Sequence, residues 1–312
     1  MMFLTQRKEF DIRYVKLHFT LQLTEDAVLP RYKASALRGG MGEMLLRANC
    51  IRDRKCELCD FEPECIVRRM MYSKMEIQPK FMTSGDSVGY VTECEDYHEE
   101  FSQGDTFRFN LILFGKSIVY FSQYLNALYA LGMNGLGKEH GRFRIISITN
   151  TKGQEILRND DILMKNYEVS RLQDYVDYRV ANSQKNPPEG EILFKTPLAL
   201  KYKGEMVRSF EPEAIFEGIK RRIYMLACFE GIESDIMNEV ISEVPEVISE
   251  DHYDISIRRY SNHQESAMNL KGIEGRLVLE NIPEEMRDIL YAGELVHIGK
   301  NTSFGFGRYR LH

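Results

Sequence analysis

Gly307-Arg308-Tyr309-Arg310-Leu311, at the end of the chain, repeats Gly141-Arg142-Phe143-Arg144-Ile145 at an offset of 166 residues. Each copy follows a helix and a glycine-rich loop, GMNGLGKEHG at 132–141 and HIGKNTSFGFG at 297–307. Five residues alone could match by chance. The order strand, helix, strand, helix, loop, strand recurs around both copies, and that order belongs to the βαββαβ plan of ferredoxin-like domains. The expected fold is therefore α+β: two ferredoxin-like, RRM-like domains in tandem.

The elements follow from periodicity. Over 14–23 the odd positions Val15, Leu17, Phe19, Leu21 and Leu23 are apolar, while Lys16, His18, Thr20 and Gln22 are polar. Strict alternation predicts a strand with one buried face. Pro30 then suits the first turn of a helix whose apolar positions are Leu37, Met41, Leu45 and Ala48. Gly39, Gly40 and Gly42 are costly in that helix, at roughly 1 kcal/mol each relative to Ala, and imply close packing on the sheet or close approach of a ligand. A strand at 107–114, a helix at 117–131 and a strand at 142–148 complete a first domain over 1–150. A polar segment ending in NPPEG is read as a connection over 151–190. The second domain, 191–312, holds strands at 192–204 and 275–279 and helices at 212–231 and 283–296.

Composition bounds the class. Of 312 residues, 43% are hydrophobic and 28% charged, which suits a folded chain and excludes disordered and fibrous classes. The first residues show no run of signal-peptide length, and the longest uncharged stretch, 117–137, carries Ser, Gln, Asn and Gly. A cytoplasmic protein with no membrane segment is the expectation. The net charge of −6 argues against nucleic acid. Yet nine acids sit in 230–254, a block without Lys or Arg that is expected to be a solvated helix, with a partner-binding segment as the alternative, and outside it 41 basic residues face 38 acidic ones.

Two constellations stand out. Cys50, Cys56, Cys59 and Cys65 form C-x5-C-x2-C-x5-C, a spacing that favours a structural zinc site, with an iron–sulfur cluster or free thiols as alternatives. Cys94 and Cys228 read as packing residues. The C-terminal loop combines Gly299, Gly305 and Gly307, whose exposed N–H groups could wrap phosphate, with Lys300, Ser303 and the aromatic Phe304, which could stack on a base. A plain structural turn is the alternative. It is not a Walker loop. The corresponding loop in the first half carries Lys138, His140 and Arg142. His297, beside this loop, is either a helix cap or a general acid or base. His18 reads as a surface residue, and the cluster 258–264, which includes His263, suits RNA or an ordinary loop.

Three segments resemble the CRISPR-associated endoribonucleases that cut precursor CRISPR RNA, members of the RAMP superfamily. They are ALRGGMGEMLLRANC running into the cysteines, GLGKEHGRFRI, and RRYSNHQ through GIEGRLVL to ELVHIGKNTSFGFGRYRL. The resemblance implies metal-independent cleavage of CRISPR repeat RNA by 2′-OH attack, leaving a 2′,3′-cyclic phosphate and a 5′-OH. The cysteines would then be structural. Many members carry a His in the first helix, and this chain has Tyr32 and Lys33 there instead. His297 is the first choice of base, Tyr32 would position the 2′-OH, Lys300 would stabilise the transition state, and His18 and His140 are reserves. Arg258, Arg259, Arg308 and Arg310 would hold RNA backbone, with Phe304 stacking. Two alternatives remain: a non-catalytic RAMP subunit binding guide RNA in an effector complex, and an iron–sulfur redox protein.

Overall fold

The computed structural model describes residues 8–73, 75, 79–82, 88–158, 160–183, 189–239, 243–261 and 266–312. In the first half, β1 (Arg13–Leu23), α1 (Lys33–Asn49), β2 (Tyr90–Glu93), β3 (Thr106–Phe114), α3 (Phe121–Asn134) and β4 (Phe143–Thr149) form the βαββαβ unit. A short α2 (Ile66–Met71) follows the cysteine segment. The sheet order is β2-β3-β1-β4, antiparallel throughout. The second half repeats it with β6 (Glu189–Leu198), α5 (Pro212–Glu230), β7 (Glu246–Ser261), β8 (Ser266–Glu280), α6 (Glu284–Val296) and β9 (Tyr309–Leu311), in the order β7-β8-β6-β9.

Strand β1 behaves as its alternation predicts. Val15, Leu17, Phe19, Leu21 and Leu23 are buried, joining Leu37 and Met41 of α1 and Leu128 of α3 in one core. Alternation breaks down in β3, because Ile112 and Phe114 on the opposite face are also buried. There the second domain takes over, with Phe216, Ile219, Phe229 and Ile298 sharing a core with Tyr14 and Val91.

Four local expectations change. Pro30 lies outside α1, ahead of its first helical residue Lys33. The segment from 117 starts as a 3₁₀ turn, and the α-helix begins at Phe121. Gly40 packs on α3 rather than on the sheet: a Cβ there would stand 2.5 Å from a Leu131 methyl. The acidic block contains no long helix among its described residues. Its second part is β7, paired with β8 from Glu246 to Ser261 with one register shift between Val247 and Ser249, and the β-branched residues Val247, Ile248, Ile255 and Ile257 suit that state. The connecting segment is also built: β5 (Glu155–Arg158) extends the first sheet from β4, and α4 (Leu172–Asn182) packs against α6.

The polar face of the first sheet meets the second domain at Glu93. Its carboxylate is buried and accepts hydrogen bonds from Lys16 Nζ at 2.8 Å and Asn110 Nδ2 at 2.7 Å. From the second domain come His297 Nε2 at 3.1 Å and Arg308 Nε at 3.4 Å. Burial pushes the Glu93 pKa up, but Lys16, His297 and Arg308 together hold it well below the usual carboxylate range. Arg222 of α5, also buried, donates to the Val88 and Val296 carbonyls at 3.0 Å each and ties the same seam.

Removing one partner of a buried ionic group is costly, so Glu93→Gln should lose about 3–5 kcal/mol in urea unfolding at neutral pH. The folded pKa lies below the ordinary carboxylate value of 4.5, so the carboxylate's contribution is complete above that pH and fades as the pH falls through the folded value. Wild type and variant should therefore converge in acid.

Candidate nucleic-acid interface

The C-terminal loop starts where α6 ends. His297 caps the helix at φ 57°, which reverses the chain. Gly299, Gly305 and Gly307 all have positive φ, and each sits against backbone. A Cβ on Gly299 would meet the Ala199 carbonyl at 2.5 Å, and one on Gly307 the Ile298 carbonyl at 1.8 Å. Gly305 presses on the other domain, where a Cβ would stand 2.8 Å from the Thr92 carbonyl oxygen and 3.0 Å from Ala34 Cβ. The N–H groups of Lys300, Phe304, Gly305, Phe306 and Gly307 donate to the carbonyls of Ala199, Asn301, Thr302, Asn301 and Pro197. These donors are spent inside the protein. The loop is a wedge between domains more than a phosphate cradle, because its glycines admit close packing.

His297 departs furthest from expectation. It is wholly buried, with Nδ1 3.0 Å from the Phe306 carbonyl and Nε2 3.1 Å from Glu93. Burial pulls its pKa below the ordinary range, and Glu93 pulls against that. A side chain without exposure and with both nitrogens engaged cannot take a proton from RNA, so His297 belongs to the scaffold. Ser303 is likewise buried. Arg308 pairs with Glu93 and Glu95. Arg310 donates to Glu294 and Tyr175, both at 3.1 Å. These two arginines brace the loop and the last strand rather than offering bare charge. His18 points along the sheet to Asn110, with Nδ1 2.7 Å from Oδ1.

Other candidates do converge. A cleft of about 2550 Å³ runs between the two halves. Tyr32, Phe304 and Arg258 line it, as do Arg31, Arg38, Lys138 and His140. Lys300 is exposed nearby in sequence, and the Arg259 side chain and His263 fall outside the described residues. The Arg38 guanidinium lies over the Phe304 ring, 4.5 Å from its centroid, so α1 and the loop form one surface. Tyr32 stands edge-on to Tyr97 with centroids 5.8 Å apart. His140 reaches the cleft because Leu136 and Gly141 close a tight loop with hydrogen bonds of 2.9 and 3.1 Å. That loop seats on α1's entry, where a Cβ on Gly137 would meet Pro30 Cδ at 2.7 Å. Arg31 and Arg38 were missed from sequence; the one signal was a pair of arginines flanking a helix start rich in small residues.

The four cysteines border the same cleft. Burial raises the Cys56 thiol pKa, Arg68 opposes it, and Cys65, Cys50 and Cys59 each add to the rise. The Cys50 sulfur accepts the Arg54 N–H at 3.2 Å. Four thiols fit a thiolate-preferring metal in chemistry. Among the described residues, no three ligating side chains are gathered into a metal-holding cluster. No helix among them is long and apolar enough to cross a membrane.

Two ferredoxin-like domains are clasped through a C-terminal glycine-rich loop. Residues 12–171 match the AF_1859_N N-terminal domain, and residues 192–309 match the CRISPR-associated endoribonuclease Cas6. By the first of these matches, which takes in just over half of its residues, the chain belongs to the AF_1859_N family; the Cas6 match is to the second domain alone. Among solved structures, it resembles a chain of a partial Cas6-RT-Cas1–Cas2 complex at TM-score 0.60 and 15% identity, over all of this chain and 47% of that one. A second Cas6-RT-Cas1–Cas2 complex gives TM-score 0.60 and 15% identity, over all of this chain and 29% of that one. This chain thus spans half or less of those two proteins. A Cas6 product complex gives TM-score 0.50 and 17% identity, over 96% of this chain and 99% of that one. These likenesses describe the fold. No curated protein matches the chain.

The two histidines should separate in a stability measurement. His297→Ala leaves Glu93 short of a buried partner and should cost about 3 kcal/mol or more, whereas His140→Ala, at an exposed loop position, should stay within about 0.5 kcal/mol of wild type.

Proposed function

We propose that this chain is a metal-independent endoribonuclease that cuts CRISPR repeat RNA in precursor transcripts and acts in the cytoplasm. The observation that carries this reading is the convergence of His140, Tyr32 and four cations, Arg31, Arg38, Lys138 and Arg258, on one cleft between the domains. The cations bind phosphate and Tyr32 positions the ribose. His140 replaces His297 as the general base, because it is the histidine exposed in that cleft.

The 2′-OH gives its proton to His140 and its oxygen bonds to the scissile phosphorus. The bond from phosphorus to the 5′-oxygen breaks, and that oxygen leaves with a proton from an acid or water as a 5′-OH. Catalysis is then in-line positioning, proton transfer and electrostatic stabilisation of the pentavalent phosphorane, to which Arg38 and Lys300 contribute. In the same reading the four cysteines hold a structural zinc that takes no part in the reaction.

The runner-up is an RNA-binding subunit without cleavage, as part of an effector complex. It draws on the missing first-helix histidine and the burial of His297. The iron–sulfur alternative has less support, since the cleft then has no role.

A panel of repeat RNAs incubated with the protein in EDTA decides the matter. One internal cut with a cyclic-phosphate end, abolished by 2′-deoxy substitution at that nucleotide, is expected. His140→Ala should slow it about 10²–10⁴-fold with affinity nearly unchanged. Binding without cutting across a panel that includes the cognate repeat selects the subunit reading. Metal analysis should find near one zinc per chain and Cys56→Ser should destabilise the fold; colourless, zinc-free protein removes the zinc site.

A further inference from the structure

We propose that the cysteine-rich insertion, residues 50–65, is a second RNA-binding element that receives bases while the cations lining the same cleft hold phosphates. The inference rests on the RNA reading of the cleft and adds an element which that reading leaves idle.

The insertion is firmly mounted. It leaves α1 with the Cys50 N–H bonded to the Leu46 carbonyl at 2.8 Å. It returns through α2, whose Val67, Met70 and Met71 are buried in the first domain's core. Between these anchors, the 3₁₀ turns Cys56–Leu58 and Glu62–Glu64 contain no buried residue. A small element turned outward in this way would ordinarily be polar, yet it displays Ile51, Leu58 and Phe61 at 68%, 72% and 58% exposure. All three line the cleft that also holds Arg38, Lys138 and Phe304.

The insertion does not itself draw phosphate: within 50–65, Arg52, Arg54 and Lys55 stand against Asp53, Glu57, Asp60, Glu62 and Glu64. Arg52 pairs with Asp60, Arg54 with Glu43 and Arg68 with Glu62. Arg31, Arg38, Lys138 and Arg258, from outside the insertion, line the same cleft. A strand in the cleft therefore meets cations and, at the insertion, apolar surface. Single-stranded RNA offers a partner for each, an anionic backbone and stackable bases. An apolar protein partner would suit the patch but not the cations.

The insertion and the cations make separable predictions for binding of short repeat RNAs that are 2′-O-methylated to block cutting. Phe61→Ala should weaken binding roughly 5- to 100-fold, as loss of one stacking contact does, with the salt dependence unchanged. Lys138→Ala and Arg258→Ala should each flatten the salt dependence by roughly 0.7 in log–log slope. In unsubstituted protein, photo-crosslinking with 4-thiouridine RNA should label the peptide spanning 50–65, so the result does not depend on a variant folding. If wild type binds RNA while Phe61→Ala and Leu58→Ser bind equally well and no crosslink falls in 50–65, the inference is overturned and the RNA reading stands; the patch then belongs to a protein partner. A wild type that binds none of the RNAs sinks both.

Discussion

One buried carboxylate decides how the two domains sit. Glu93 lies on the polar face of the first sheet, where water would ordinarily solvate it. The second domain removes that water and must replace it, which it does with His297 and Arg308 beside the first domain's own Lys16 and Asn110. A charge taken out of water without such partners would cost several kcal/mol. The requirement fixes orientation as well as contact, because both second-domain partners flank the glycine-rich loop. Once Glu93 is satisfied, Gly305 must lie against Thr92 and Ala34, and Phe304 must face Arg38. The cleft follows from the clasp.

Elements governed by local periodicity were legible in the sequence. The alternation of β1, the apolar positions Leu37, Met41 and Leu45 of α1 and the repeat at 141–145 and 307–311 each report a preference written within a few residues. What was not legible depended on the other domain. His297 looks like an acid–base residue because it adjoins a glycine-rich loop, and only the opposing Glu93 makes it part of the scaffold. The glycines suggested a phosphate cradle. They serve approach of backbone to backbone, for which sequence leaves the same signature. Strand β7 was hidden for a different reason: charge counting drew attention to nine acids and away from the β-branched residues between them. Arg308 and Arg310 were read as cations without regard to the carboxylates that would meet them, while Arg38 escaped notice in a glycine-rich helix.

The arrangement also explains how a protein with a net negative charge can present a basic cleft. Many of the cations that sequence singles out are neutralised by partners within the fold, and those lining the cleft come from elements far apart in the chain: the start of α1, the loop before β4, and the end of β7. No linear window contains the site. It exists only when two copies of one topology are clasped edge to face, with the first domain's loop seated on Pro30 and the second domain's loop wedged against β2.

The acidic block gains a meaning from its place in the second sheet. Strand β7 is an edge, and among the described residues its outer row of backbone groups has no neighbouring strand. Such an edge invites another chain to pair, the more so with Val247, Ile248 and Tyr253 exposed along it. Glu246, Glu250, Asp251 and Asp254 occupy the same stretch, and Arg258 lies beyond them at the cleft. At about 3.3 Å per residue, Glu246 and Arg258 are roughly 40 Å apart. One strand thus carries two opposite instructions: its acidic end repels a second copy of itself, and its basic end is left to meet a polyanion.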